Sequence, residues 1–332
     1  MGRDRAQSRS PDRTRIWEAG AVSEPGTNEQ DTNEQGILEQ GTSDRYTSQS
    51  RRVGDVRAWV NGVRVDATGP SIAAVDHGIT VGDGVFETCK VIDGVPFALA
   101  RHARRVDRSL AGLGLPDADH KMIDAGIKDV LSGEPIAYGR LRYTITGGAG
   151  PLGSDRDASP LTYIVTAGRT PPNPVTAKVV VVPWTRNERS ATAGLKTTSY
   201  AENVVALAYA KDRGGTEAVF ANSVGNLCEG TGSNIFVVVD GEILTPDLAS
   251  GPLAGVTRDL VIEWCREEGL TVRAEPLPMS ILTRATEVFI TSSIKDVMPV
   301  HAIDDQLLPA PGPVTAQVAE IFNRLSRERL DP

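Results

Sequence analysis

Residues 217–259 read EAVFANSVGNLCEGTGSNIFVVVDGEILTPDLASGPLAGVTRD, and the reading of this stretch decides the fold. Two apolar runs, at about 217–221 and 234–239, have the β-branched and aromatic content of strands. Glu229 lies between them, with apolar residues on one side and glycines on the other. One reading makes Glu229 a solvated residue in a turn that leads into the second strand. The other makes it a carboxylate held against a heteroaromatic nitrogen, which it keeps protonated. The stretch ends at Gly255-Val256-Thr257, where the helix-period run TRDLVIEWCREEG (257–269) begins, to close at Gly269. A helix start offers unpaired N–H groups and the positive end of the dipole to an anion, although a Thr there is often just a cap.

Just upstream, AGLKTTSYAENV (193–204) places one lysine among small and polar residues where a strand gives way to a helix. The chain has seven lysines: Lys90, Lys121, Lys128, Lys178, Lys196, Lys211 and Lys295. Lys121 and Lys128 share the solvated face of an amphipathic run, Lys178 opens a strand, and Lys211 ends a helix, where a cation suits the dipole. Lys196 differs because an amine in that setting can be both desolvated and reachable, as a Schiff-base lysine must be. A surface role stands beside that reading. Arg105, on an earlier helix, is either the cation that matches an anion at Val256 and Thr257 or part of a solvated face.

Further out, VRAWVNGVRVD (56–66) has Asn61-Gly62 between β-formers, a hairpin signal, and GVFETCKVIDGVPFAL (84–99) repeats it at Asp93-Gly94. Leu99, Ala103, Val106, Leu110 and Leu113 then make the apolar stripe of a helix whose other faces carry Arg101, Arg104, Arg105 and Arg108. A helix at about 117–131 and the strand RLRYTIT (140–146) follow. GRTPPNPVTA (168–177) has the prolines of a linker. Beyond it the pattern predicts the strand KVVVVPW, a helix near 199–212, the strand EVFITS and a C-terminal helix at about 313–329. Strands and helices mix without regular alternation, which predicts an α/β (α+β) chain in two domains. The expected division is an extension over 1–54, a small domain over 55–168, a linker over 169–177 and a larger domain over 178–332.

Composition narrows the function classes. A net charge of -8 and a pI near 5.2 lack the basic footprint of a nucleic-acid binder. No apolar stretch approaches the roughly 18 residues of a membrane span. Three dispersed cysteines without a C-x-x-C suit a reduced, cytoplasmic protein, and four scattered histidines predict no metal site. Residues 1–54 are polar and charged, with a small repeat (TNEQDTNEQ, 27–35), and are expected to be disordered because they cannot bury enough apolar surface to offset their ordering entropy. Five arginines in the first fifteen residues suggest a transit peptide only faintly, since acidic residues interrupt them.

The order of these pieces resembles the class IV aminotransferases, the fold type IV pyridoxal phosphate (PLP) enzymes, from about residue 57 to 330. DHGITVGDGVFET, HARRV, GLKTTSY, EVFITSSIKDVMPV and the long stretch quoted first carry the resemblance. It implies a small α/β domain and a larger pseudo-barrel domain with PLP between them. Lys196 would form the Schiff base and then move the proton between substrate Cα and cofactor C4′. Glu229 would hold the pyridine N–H. Arg105, in the H-x-x-R pattern begun by His102, would bind the phosphate together with the Val256 and Thr257 amides and Ser292. Ser293 would sit at the edge of this phosphate cup, near the substrate carboxylate, and Tyr200 would contact the cofactor. The implied substrates are an amino acid and a 2-oxo acid, and the implied assembly is a homodimer or higher homo-oligomer.

Substrate choice is less marked. The T-R-G or S-R-G arginine of D-amino-acid transaminases and 4-amino-4-deoxychorismate lyases is replaced within TITGGAG, by Gly147. Arg142 instead aligns with an arginine of branched-chain aminotransferases, whose pocket tyrosine appears here as Val81 and whose FEG appears as FET, Phe86 to Thr88. Phe86, Thr88 and Arg142 are therefore expected at the substrate, unless Arg142 faces outward from its strand. The resemblance favours transamination, with aminodeoxychorismate lyase (release of pyruvate and 4-aminobenzoate) as the alternative and a non-catalytic PLP-binding protein as a third reading.

Overall fold

Tight turns shape the first sheet. The computed structural model describes residues 55–332, and the expected extension over 1–54 lies outside them. Asn61 and Gly62, with φ of 46° and 99°, join β1 (Arg57–Val60) to β2 (Val63–Val65). The one-turn helix α1 (His77–Thr80) follows, capped by the Asp76 side chain. Asp93 and Gly94, with φ of 48° and 81°, join β3 (Gly84–Ile92) to β4 (Val95–Pro96). Two positive φ values in succession are what a two-residue hairpin turn demands, and Asn, Asp and Gly tolerate them best.

Next come α2 (Leu99–Leu113), α3 (His120–Leu131), β5 (Tyr138–Thr146) and β6 (Thr162–Arg169). The six strands pair antiparallel throughout, in the order β2-β1-β6-β5-β3-β4. Both helices lie on one face of this sheet. There Val106 and Leu110 of α2 and Ile123 and Ile127 of α3 pack with Val85, Cys89, Leu141 and Tyr143. Strand alternation sends Phe86, Thr88 and Lys90 of β3, with Arg142 and Thr144 of β5, to the opposite face.

The chain crosses to the second sheet over 170–176. That sheet starts with β7 (Ala177–Arg186), and α4 (Ala201–Lys211), β8 (Glu217–Asn222), β9 (Leu227–Gly230), β10 (Asn234–Val239) and β11 (Glu242–Pro246) follow. After α5 (Val256–Glu267) come β12 (Val272–Glu275), α6 (Ile281–Arg284), β13 (Glu287–Ser292), β14 (Asp296–Ile303), β15 (Gln306–Leu307) and α7 (Pro313–Glu328). The strand order is β12-β11-β10-β13-β14-β7-β8-β9, with β15 beside β14, and the sheet curls into a half-barrel. Register shifts in the β14–β7, β7–β8 and β8–β9 pairs add local bends to the ordinary strand twist.

Trp264 of α5 and Phe322 of α7 cover this sheet over Phe236 and Phe289, which stack with their centroids 4.7 Å apart. Among the described residues no helix is long and apolar enough to cross a membrane, and no His, Cys, Asp and Glu group is arranged to hold a metal ion.

The two sheets are tied together beside the β13–β14 turn. Lys90 Nζ donates to both oxygens of Asp296 at 2.6 and 2.7 Å. The carbonyl of Ile294 accepts from the Tyr138 hydroxyl at 3.1 Å and from Asn173 Nδ2 at 2.6 Å. Lys295 Nζ pairs with the buried Glu217. This turn, residues 293–296, is therefore held from both sides.

The alternating and helix-period segments lie where the sequence predicts them. Strands β6, β9, β11, β12, β14 and β15 are missing from that expectation, although β6 (TYIVTAGR) carries the β-branched and aromatic content of a strand. β9 and β12 have four residues each, too few for alternation to register. β14 contains Pro299, a residue that argues against a strand when the sequence is read alone.

Candidate active site

Lys196 sits where β7's outgoing loop meets β3. Its carbonyl accepts from the Phe86 amide at 3.0 Å, and Thr198 N–H donates to Gly84 O at 2.8 Å, so the segment runs briefly as an extra strand beside β3. The Lys196 amide donates to Ser109 Oγ of α2 at 3.2 Å. The amine is 3.3 Å from the Tyr200 hydroxyl and 4.3 Å from the centre of the Phe86 ring. Phe86 and Tyr200 meet edge to face at 5.0 Å. On the same sheet face the guanidinium of Arg142 lies 3.7 Å from the Phe86 centroid and donates from Nε to Thr144 Oγ1 at 3.3 Å. Lys196, Tyr200, Phe86 and Arg142 thus form one contacting group. Thr88 stands directly across from Arg142 in the β3–β5 register.

Arg105 is not on a solvated face of α2. It is 5% exposed, and it meets Glu87 at two points, Nε to Oε1 at 2.8 Å and Nη2 to Oε2 at 2.7 Å. Its Nη1 donates to Ala254 O at 3.1 Å, one residue before the Gly255 cap of α5. Burial by itself would raise the Glu87 carboxyl, but Arg105 and then His102 outweigh it and hold the group well below the usual carboxylate range. The same Glu87 oxygen that meets Arg105 Nη2 lies 2.6 Å from His102 Nδ1. His102 Nε2 lies 3.3 Å from Ser293 Oγ.

The start of α5 has no side-chain cap, and Val256 and Thr257, its first two residues, are buried. A Cβ on Gly255 would come within 1.9 Å of Asn234 Oδ1, so the backbone here needs glycine. Glu229 reaches this region from β9 by accepting the Leu253 amide at 2.9 Å. Burial raises its carboxyl; Arg186, with Nε 3.8 Å away, and the Leu253 amide pull it back. Arg186 also donates to Glu202 and Asn203 at 2.7 and 3.1 Å and lies over the Phe220 ring at 4.4 Å.

Arg105, Glu229, Val256 and Thr257 therefore converge on the loop entering α5, and Ser293 joins Arg105 through His102 and Glu87. Ser292 Oγ instead accepts the Lys295 amide at 3.1 Å, closing the β13–β14 turn.

Sequence reading missed Glu87, Arg186 and the pairing roles of Lys90, Glu217 and Lys295. For Glu87 a signal exists: it occupies the same alternation register as Val85, Cys89 and Val91, where a charge inside an apolar face calls for a buried partner.

A family model described as amino-transferase class IV matches residues 84–303. A Methanocaldococcus jannaschii protein with a provisional branched-chain-amino-acid aminotransferase name is 32% identical over 286 residues, covering 83% of this chain and 96% of that one. An aminodeoxychorismate lyase of Bacillus subtilis is 28% identical, covering 74% and 86%. Among solved structures, a fold IV transaminase from Curtobacterium pusillum superposes with a TM-score of 0.69 at 28% identity, covering 80% and 98%. With its matched core and these relatives, the chain belongs to the class IV aminotransferases, a family of PLP-dependent enzymes.

Proposed function

We propose that the protein is a PLP-dependent transaminase that moves an amino group between an amino acid and a 2-oxo acid. The observation that carries this reading is the placement of Lys196. Its amine lies against the faces of Phe86 and Tyr200 beside one hydroxyl, and a carboxylate, Glu229, stands near enough to act on the same charges.

The residues fit the cofactor. The uncapped α5 start suits a phosphate, with Arg105 alongside it. Glu229 suits a protonated ring nitrogen, and Lys196 suits an aldehyde carbon. When bound, PLP supplies an electron sink for the charge left when a substrate Cα–H bond breaks. Lys196 Nζ would take the proton from the substrate Cα and deliver it to the cofactor carbon that carries the aldehyde (C4′), with the Tyr200 hydroxyl, 3.3 Å from the amine, orienting it. Phe86 covers the amine on one side and keeps water from it. Arg142, also held against the Phe86 ring, would bind a substrate carboxylate through its guanidinium fork. The exposed Val204 and Val205 of α4, close to Tyr200, support the reading that a second copy packs here.

Two assays test this reading. An amino acid mixed with the cofactor-loaded protein, without acceptor, should release 2-oxo acid once per site and continue only when a second 2-oxo acid is added. Continuous pyruvate release from aminodeoxychorismate without an acceptor would instead make the protein a lyase, the reading that the B. subtilis relative supports. Lys196→Ala should lose borohydride-fixable cofactor and at least about 10³-fold in rate. Retention of both would overturn the assignment.

A further inference from the structure

The chain Arg105–Glu87–His102–Ser293 links Arg105, whose Nη1 meets the loop entering α5, to the Ser293 hydroxyl on the β13–β14 turn. With Ser293 at the edge of the phosphate cup, as the family resemblance implies, we infer that His102 is its proton partner, so that binding a phosphate dianion draws one proton from solvent onto His102 Nε2. This rests on the PLP reading of the site.

The hydrogen-bond inventory leads to it. Glu87 is ionised and accepts only, so the His102 nitrogen 2.6 Å from it, Nδ1, must be the donor. In a neutral ring Nε2 is then an acceptor, and Ser293 donates its hydroxyl proton to it across 3.3 Å. Ser293 has one proton. A phosphate dianion accepts only, so engaging it turns that proton away from His102 and leaves two lone pairs facing each other. Protonating Nε2 restores the bond: Nε2–H donates to Ser293 Oγ, and Ser293 Oγ–H donates to phosphate. The balance is one solvent proton consumed and one N–H bond formed, with nothing oxidised or reduced.

Charge runs the same way. The groups facing His102 are Glu87 from β3, Arg105 from α2 itself and Lys196 from the loop before α4. In the protein alone, burial lowers the imidazole, Glu87 opposes that, and Arg105 and Lys196 add to it. Arg105 is already matched by Glu87, so two incoming negative charges favour a protonated imidazole. Ser292 offers no such link, because its oxygen closes the turn at Lys295. His102 acts through Ser293 and is a positioning residue.

The test uses 4′-deoxypyridoxine 5′-phosphate, which has the ring and phosphate but no aldehyde for Lys196. Full-length protein stripped of cofactor is titrated calorimetrically at pH 8, where the phosphate is a dianion, in buffers of different ionisation enthalpy. Wild type should take up about one more proton than either His102→Asn or Ser293→Ala. Its affinity should fall about tenfold per pH unit between pH 7 and 8.5, and both variants should be flatter by that amount. Equal uptake and equal slopes in all three proteins would overturn the inference while leaving the cofactor reading intact. Failure of wild type to bind the analogue at all would overturn both. If His102→Asn does not fold, Ser293→Ala alone decides, since it removes one oxygen and leaves the Glu87–His102 pair in place.

Discussion

Arg105 and Glu87 form a two-point ion pair, at 2.8 and 2.7 Å, in which the carboxylate is fully buried and the guanidinium 5% exposed. It joins the helix-covered face of β3 to α2, whose Arg105 reaches the loop entering α5. A buried pair of this kind is costly to break from one side, because the remaining charge keeps its desolvation penalty.

Glu87→Ala should therefore lower stability by about 3–5 kcal/mol, measured by urea unfolding of cofactor-free protein at pH 7. The pH dependence has a definite sign. The folded-state pKa of Glu87 lies below its unfolded value of about 4.3, so the pair's contribution is complete above that value and fades as pH falls through and below it. Wild type should lose stability relative to Glu87→Ala as pH drops from about 5 toward 2. Parallel curves over that range would contradict this.

Glu229 behaves in the opposite sense. Burial raises its carboxyl, so in the cofactor-free protein the ionised group costs stability above its unfolded value and that cost is relieved on acidification. Glu229→Gln keeps an oxygen for the Leu253 amide and drops the charge. The cofactor-free variant should be at least as stable as wild type at pH 7 by thermal melting, while the transamination rate falls by about 100-fold or more. A marked loss of stability with activity retained would reverse the assignment.

Gly255→Ala puts a methyl group 1.9 Å from Asn234 Oδ1, and Asn234 cannot swing away without giving up its bond to Leu253 O at 2.8 Å. Cofactor affinity should weaken at least about tenfold, or 1.4 kcal/mol, by equilibrium dialysis. Gly269→Ala is the control. It meets nothing within 4 Å but has φ of +82°, so it should cost about 1 kcal/mol of stability with cofactor affinity unchanged.

Lys90 and Asp296 make an asymmetric pair, the lysine 3% exposed and the aspartate 26%. Asp296→Asn leaves a buried ammonium against the Phe97 and Phe322 rings with a neutral acceptor. Lys90→Met removes that charge and leaves an aspartate that water can reach. Asp296→Asn should destabilise by about 2–3 kcal/mol and Lys90→Met by less than about 1.5, and the double variant should match Lys90→Met. Chemical unfolding of the three variants checks this, and equal costs for the two single changes would refute it.

Much of this molecule is legible along the chain. Asn61-Gly62 and Asp93-Gly94 specify their turns because the required φ values suit those residues and few others. The stripe from Leu99 to Leu113 specifies α2, and the small-residue setting of Lys196 marks it among seven lysines. These signals act over a handful of residues, within reach of backbone preference and side-chain periodicity.

The tertiary structure decided the partnerships. Arg105 reads from the sequence equally well as a solvated or an inward residue, and only the packing of α2 on β3 brings it to Glu87, 18 residues away. Arg142 faces the Lys196 side of its strand because alternation puts it on the same sheet face as Phe86, and the β3–β5 register, which pairs it with Thr88, makes Phe86 its diagonal neighbour. Ser293 meets His102 across 191 residues and Lys90 meets Asp296 across 206. Pairing at that separation depends on how two sheets close on each other, so no local pattern encodes it. The sequence by itself marked the candidate groups, through local composition and motif order; the folded structure decided which of them touch and with what charge.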